Sequence, residues 1–210
     1  MRPYDHSLET DLLTELHYFP CLDFFAGMTQ FSTTRLEAHE QYQKQSLRNR
    51  CYVLTANKID CLTVPVLSPT RHQPIRDVRI DNGQPWQDRH WRCLVGAYRK
   101  APFFEFYAPD IDVVLRRKTE FLFDLNYELL TICRQWVGIN MPLNLTNCYE
   151  KHPASGVFDA RNRIDGQTGL FYSPMPYQQN FGVDFVPNLS VLDVVFNQGP
   201  NAKESLRFDV

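Results

Sequence analysis

The chain has 210 residues, of which 43% are hydrophobic and 22% charged, proportions that are typical of an ordinary globular protein and exclude a disordered, fibrous or membrane-embedded chain. Its 22 Lys and Arg residues against 24 Asp and Glu residues give a formal net charge of -2, which provides no overall attraction to nucleic acid or to anionic lipid. Any anion site must therefore be local, and nucleic acid is not an expected partner. The length favours a single domain over residues 1–210.

The start of the chain lacks the pattern of an exported or membrane-spanning protein. The first twenty residues carry four acidic side chains and no long apolar run, so no secretory signal is expected and the protein is predicted to be cytoplasmic. The apolar stretch 19–28 is interrupted by Pro20 and Asp23 and is shorter than the roughly 20 residues of a spanning helix. We therefore expect no insertion into a membrane.

The cysteines and the common motifs exclude several chemistries. The six cysteines are spaced singly, without a C-x-x-C pair or a His/Cys grouping of the zinc type, which predicts reduced thiols and no metal site. The G-x-S-x-G, H-E-x-x-H and G-x-G-x-x-G patterns and the phosphate loop are also missing from the sequence. No cofactor is therefore expected.

The segment 41–51 places three cations among amides just before a sequence typical of a strand. Lys44, Arg48 and Arg50 are the cations, and Asn49 lies between the two arginines. One interpretation is an anion site, since a guanidinium group is well shaped for phosphate or carboxylate. The other is a solvated helix in which Glu40 pairs with Lys44.

Three segments that follow have the composition of β-strands. The runs 52–55 and 62–66 are rich in β-branched and aromatic residues and flank Asn57-Lys58, which predicts a β-hairpin. The alternation over 75–81 predicts a half-buried strand that ends at Asn82-Gly83. Together these strands would form a small mixed sheet.

Two helices are predicted in the middle of the chain. Apolar residues recur with helical spacing from Asp88, which is placed to cap the first helix, and Pro102 ends it. A long second helix is predicted to begin at Pro109-Asp110 and to end near Gly138.

The last third of the chain predicts an ordered loop region followed by one helix. Residues 140–182 are rich in proline and glycine. Ser190 and Asp193 have the spacing of a capping box, and Gly199-Pro200 would end the helix that they start. The whole pattern predicts an α/β or α+β fold, in which helices pack on a small mixed sheet in one compact domain.

Several side chains are candidates for a site. His90 titrates near neutrality in its free form, and an indole such as Trp91 can form the floor of a sugar or base pocket. The alternative places Trp91 in the core and His90 at the surface. Gln178, Asn188 and Asp193 are suited to fix a hydroxyl-rich ligand, or else to make loop and cap hydrogen bonds.

The order and spacing of these segments resemble the WbqC-like protein family along nearly the whole chain. The form with Glu37, Glu40 and Gln178 resembles its Bacteroidota-type branch. Many relatives carry His-Gln-Pro and Tyr-Leu-Pro-Trp near the start, where this chain has His17 followed by Tyr18 and Cys21. The segments that carry the resemblance are Tyr18-Phe19-Pro20, 42–51, 62–66, 75–80, His90-Trp91, Tyr98 with Ala101-Pro102-Phe103-Phe104, and 187–193.

The resemblance implies an enzyme of bacterial surface polysaccharide biosynthesis that transfers an acyl or aminoacyl group to a nucleotide-linked amino sugar. Its partners would be small molecules, a nucleotide sugar and an acyl donor, and His90 would be the general base. The alternative is a non-catalytic module that binds a glycan precursor or serves a surface-assembly pathway. The oligomeric state stays open. The substrate-binding residues of this interpretation are Lys44, Arg48, Asn49, Arg50, Trp91, Tyr98, Gln178, Asn188 and Asp193.

Overall fold

The computed structural model describes residues 10–206 except positions 69 and 71. The remaining positions of the predicted 1–210 domain lie outside this description. Strands and helices follow one another along the chain. They are β1 (Asp11–Glu15), α1 (Leu22–Gln30), β2 (Thr33–Glu37), β3 (Arg50–Leu54), β4 (Ile59–Thr63), α2 (Trp86–Tyr98), α3 (Phe104–Arg116), α4 (Leu122–Trp136), β5 (Leu143–Leu145), β6 (Val157–Asp159) and α5 (Val191–Gln198).

The central sheet has four parallel strands in the order β5-β2-β1-β6. β1 lies inside it and is buried from Leu12 to Glu15, as expected for a parallel strand covered on both faces. The carboxyl ends of three strands, at Glu15, Glu37 and Asp159, therefore meet at one edge. Open parallel sheets bind ligands at this edge. The predicted α/β class is confirmed, but this sheet uses strands that the sequence did not indicate.

The predicted hairpin is confirmed, and the predicted strand over 75–81 is wrong. β3 and β4 pair antiparallel, with Arg50 opposite Thr63. Residues Ile75–Asp77 form a short 3₁₀ helix instead, because the N–H groups of Asp77 and Val78 bond to nearby carbonyls of Pro74 and Ile75. Only isolated bridges remain at Arg79 and Ile80.

The cationic segment 41–51 contains turns and bends that lead into β3, so the solvated-helix interpretation is wrong. Gln45 has a φ of 59°, a conformation that interrupts a right-handed helix. Glu40 pairs with Arg48 rather than with Lys44, at 2.7 Å between Nε and Oε1.

The helices in the middle of the chain begin and end at residues other than those predicted. α2 begins at Trp86, and Asp88 lies in its first turn without capping it. α3 contains Pro109 in its interior, and extended backbone at Arg117 separates it from α4. The predicted long helix is therefore two helices.

The last helix begins and ends where the sequence predicts. Ser190 Oγ accepts a hydrogen bond from the Leu192 N–H, and Gly199, with a φ of 55°, follows the last turn. The capping box is incomplete, however, because the Asp193 carboxylate accepts hydrogen bonds from the Tyr98 and Tyr177 hydroxyls instead. No helix in the described part of the chain is long and apolar enough to cross a membrane.

Candidate anion-binding site

A small pocket forms where three segments of the chain converge in front of α1. They are the turn before α1, the start of β3 and the segment before α5. The pocket has about 210 Å³ of empty space, counted to its open mouth. Its lining consists of Tyr18, Phe19, Pro20, Cys21, Leu47, Arg50, Tyr52, Asn188 and Ser190.

Backbone hydrogen bonds hold these segments together. The Tyr18 N–H donates to the Leu47 carbonyl at 2.9 Å, and the Ser190 N–H donates to the Tyr52 carbonyl at 2.9 Å. Phe19 and Asn188 adopt φ values of 41° and 53°, which are unusual for residues other than glycine. Backbone strain of this kind persists where the surrounding structure holds it, and it clusters at ligand sites.

Two hydrogen-bond donors on residues that line this pocket have no acceptor among the described residues. They are Arg50 Nε and Asn188 Nδ2, and both atoms are buried. Asn188 Oδ1 accepts the Asp23 N–H at 2.9 Å, which fixes the orientation of the amide and leaves Nδ2 as a donor. A buried donor without an acceptor costs about 1–3 kcal/mol. Two of them at one pocket favour a ligand that presents anionic or carbonyl oxygens.

The other cations of the segment 41–51 are not in this pocket. Lys44 is exposed in a turn. Arg48 is buried and donates to Glu40 and to Asn162 Oδ1, at 2.9 Å for the latter. Asn49 donates from Nδ2 to the Val64 carbonyl at 2.9 Å. Of the four candidates in this segment, the structure places only Arg50 beside Asn188.

His90 lies in a different place, at the wall of an open groove of about 760 Å³. Its Nδ1 is 2.8 Å from the Tyr18 hydroxyl and its Nε2 is 3.2 Å from the Thr63 carbonyl. Because a carbonyl only accepts, Nε2 carries the proton and Nδ1 accepts from Tyr18. Burial, together with the nearby Arg89 guanidinium, lowers the pKa of His90 to about 4. The imidazole is therefore neutral, and both of its nitrogens are engaged.

The remaining candidates are dispersed. Trp91 is half-buried and contacts Phe104, and Gln178 is exposed. Tyr98 is fully buried and donates to Asp193 Oδ1 at 3.0 Å. The Gln179 amide, not that of Gln178, donates to Asp193. Tyr98 and Asp193 thus meet each other, but neither lines the pocket of Arg50.

A buried cluster of charges at the carboxyl edge of the central sheet was not anticipated from the sequence. Glu15 contacts His17 at 3.2 Å and Arg48 at 3.7 Å, and Arg48 also pairs with Glu40. Burial by itself would raise the pKa of Glu15, but His17, Arg48 and the Asn162 N–H together lower it to about 2. Within residues 10–206, positions 69 and 71 aside, no group of three His, Cys, Asp or Glu side chains is arranged to hold a metal ion.

Tyr18 and Tyr52 also line the pocket, although the sequence reasoning did not choose them as site residues. Tyr18 stands in the Tyr18-Phe19-Pro20 segment of the resemblance, and this was the signal that could have found it. Tyr52 was interpreted only as part of a strand. It lies two residues after Arg50 on β3, where alternate side chains share a face, and both residues line the pocket.

Fold and pocket together define a parallel α/β protein with a small donor-lined pocket in front of its first helix. The chain belongs to the WbqC-like protein family, whose model matches residues 16–168 and 160–205. It is similar to the Uncharacterized protein Rv1507c of Mycobacterium tuberculosis, at 27% identity over an alignment of 230 residues, gaps included. The alignment covers 93% of this chain and 96% of the relative. No solved structure matches the chain significantly.

Proposed function

We propose that this protein binds a nucleotide-linked amino sugar of bacterial surface polysaccharide biosynthesis in the cytoplasm, and that Arg50 and Asn188 hold a phosphate group of that ligand. The observation that carries the proposal is the pair of buried donors, Arg50 Nε and Asn188 Nδ2, at one pocket. Charge-assisted hydrogen bonds from a guanidinium group are among the strongest that a phosphate can accept. The sugar part of the proposal comes from the expectation that the family resemblance carries.

The size of the pocket supports the entry of a single oxygen of a phosphate group rather than of a whole nucleotide sugar. Its cavity volume is about 10 Å³, room for about one water-sized oxygen and far below the roughly 300–1,000 Å³ of pockets that enclose a complete ligand. The rest of the ligand would extend outward past the half-buried Tyr52 and Leu47. A tyrosine ring at a pocket mouth offers an apolar face to a sugar or a base.

The proposal is tested by titrating nucleotide-linked amino sugars, their parent nucleotides and the free amino sugars, with calorimetry and thermal shift as readouts. A ligand at 100 times its Kd adds about 2.7 kcal/mol to the free energy of unfolding. Asn188→Asp retains the acceptor for the Asp23 N–H but replaces the free donor by an anion. We expect it and Arg50→Gln to weaken binding at least tenfold. Lys44→Gln, an exposed cation of the same segment, is the matched control and should bind normally.

Acyl transfer to the amino sugar is the second candidate function. It is favoured by a neutral histidine at the wall of a groove that is large enough for a ligand. A pKa of about 4 makes His90 a weak proton acceptor at neutral pH, however, since a general base works best with a pKa near the working pH. Because the pKa of His90 lies so far below neutral pH, we prefer ligand binding to acyl transfer as the proposed function.

Transfer is tested with acyl thioester and aminoacyl donors. If His90 is the base, His90→Ala abolishes product but leaves the binding of the nucleotide sugar intact. In the native protein, His90 Nδ1 accepts a hydrogen bond from the Tyr18 hydroxyl. Tyr18→Phe removes this bond, leaves Nδ1 free to accept a proton, and should maintain or raise the rate of transfer. Absence of product with every donor, in protein that binds the nucleotide sugar, would leave the binding function as the whole function.

A further inference from the structure

A second groove lies between the C-terminal half of α2 and the segment that contains Asn180 and Phe181. It has about 890 Å³ of empty space, counted to its open mouth, and it shares no lining residue with the pocket of Arg50. Its lining consists of Arg92, Val95, Gly96, Ala97, Arg99, Lys100, Asn180 and Phe181.

The groove is strongly positive. Arg92, Arg99 and Lys100 are exposed cations, and no described residue of the lining is a carboxylate. The C-terminus of a helix carries only about half an elementary negative charge, so it cannot balance three cations. The Nε of Arg92 donates to the Asp88 carbonyl, which leaves its two terminal nitrogens to other partners.

Gly96 lines the groove at an exposed position of α2. A Cβ atom at this position would meet nothing within 4 Å, so packing does not require a glycine here. A helix interior disfavours glycine relative to alanine. The missing side chain leaves the helix backbone open to a ligand that lies in the groove.

The aromatic wall of the groove is held in place by hydrogen bonds from the two residues that precede Phe181. Asn180 Nδ2 donates to the Ala97 carbonyl at 2.9 Å, which ties this segment to α2. The neighbouring Gln179 donates to the buried Asp193 carboxylate at 2.9 Å. Phe181 is therefore positioned before any ligand arrives, and a preorganised wall reduces the entropy that binding loses.

We propose that this groove is a second ligand site, for a nucleoside diphosphate, with the cations on the phosphates and Phe181 against the base. A diphosphate provides the negative charge that three cations require, and a flat heterocycle provides the face that a phenyl ring stacks on. This site goes beyond the proposed function, because its residues are separate from Arg50 and Asn188.

The test uses uridine diphosphate and inorganic pyrophosphate in calorimetric titrations at low ionic strength. We expect both to bind, with uridine diphosphate about tenfold tighter, and Phe181→Leu to remove that difference. Arg99→Gln should weaken both about tenfold, since a hydrogen bond to a charged group is lost. Gly96→Trp places an indole in the groove and should abolish the binding of both ligands without lowering Tm. Lys118→Gln, an exposed cation outside the lining, should change the binding of neither.

Two outcomes overturn the proposal. If Gly96→Trp binds uridine diphosphate normally while Arg50→Gln does not, all nucleotide binding belongs to the pocket of Arg50. If phosphatidylglycerol vesicles bind but uridine diphosphate and pyrophosphate do not, the groove takes a lipid headgroup. If Gly96→Trp loses the binding of uridine diphosphate and Arg50→Gln retains it, the groove is the nucleotide site, even if the proposed function of the Arg50 pocket fails.

Discussion

Asn188 Oδ1 accepts the backbone N–H of Asp23 at 2.9 Å, while Nδ2 of the same amide is buried at the pocket without an acceptor among the described residues. One side chain thus accepts a hydrogen bond from the first turn of α1 and keeps a donor that the proposed ligand would use. The two roles can be separated, because only the oxygen serves the helix.

Asn188→Leu removes both roles and should lower the free energy of unfolding by about 1–3 kcal/mol, through the lost cap and a φ of 53° that leucine adopts poorly. Asn188→Asp keeps the acceptor and should cost less. Urea denaturation of both variants gives the comparison. Equal losses for Asp and Leu would mean that the oxygen does not support α1.

Arg48 and Lys44 lie four residues apart and have the same charge, yet their substitutions should differ greatly. Arg48 is fully buried between Glu40 and Glu15, so Arg48→Met leaves a buried carboxylate without a partner and should cost about 3–5 kcal/mol. Lys44→Met changes an exposed position and should stay within about 0.5 kcal/mol. Thermal unfolding of the two variants at pH 7 measures the difference.

Glu15 should make the protein sensitive to acid. Its pKa falls from 4.5 to about 2 in the folded protein, so its stabilisation is complete above pH 4.5 and is lost as the pH falls toward 2. The loss amounts to about 3 kcal/mol. Glu15→Gln should flatten the dependence of unfolding free energy on pH in that window. Glu105→Gln, at an exposed position, is the control variant.

His90 should resist protonation. Its pKa is lowered from 6.5 to about 4, so the unfolded chain takes up a proton before the folded protein does, and stability falls as the pH decreases from 6.5 to 4. NMR titration should show the imidazole signals of His90 unchanged until about pH 4. His90→Gln should remove its share of the acid destabilisation, with His152→Gln as the exposed control. A titration midpoint near 6.5 would contradict this assignment.

Two helical glycines should respond in opposite directions to alanine. Gly96→Ala has free space for its Cβ and should stabilise the protein by about 0.5–1 kcal/mol. A Cβ at Gly27 would lie 2.6 Å from Phe171 Cδ2, so Gly27→Ala forces the ring to move and should destabilise by about 1–3 kcal/mol. Differential scanning calorimetry of both variants should show a higher Tm for Gly96→Ala and a lower Tm for Gly27→Ala.

Local signals explain which elements could be predicted from the sequence. The hairpin and α5 have β-branched runs, a Ser190 cap and Gly199, all of which act over a few residues. β2 is short and polar, with the sequence TTRLE, and β5 and β6 have three residues each. Such strands form because neighbouring strands supply their hydrogen bonds. Their own sequences carry no hydrophobic pattern that predicts a strand.

Two of the residues proposed from the sequence line the pocket, but their arrangement could not be predicted. Arg50 and Asn188 were both chosen for their chemistry, and the fold brings them to one pocket. Sequence reasoning could not separate Arg50 from Arg48, because the acceptors of Arg48 lie on β1 and in the segment after β2. It also could not foresee that burial lowers the pKa of His90, since burial is set by distant parts of the chain.

The buried Asp193 carboxylate is joined to Tyr177 and Gln179, and Gln179 in turn closes on the backbone of Val186. The loop 179–186 is closed by these hydrogen bonds at its two ends, while Val183 within it is fully exposed. Exposed tips on anchored bases tolerate added sequence. A fluorescent or affinity label inserted beside Val183 would therefore report on ligand arrival from a position outside the lining of the Arg50 pocket.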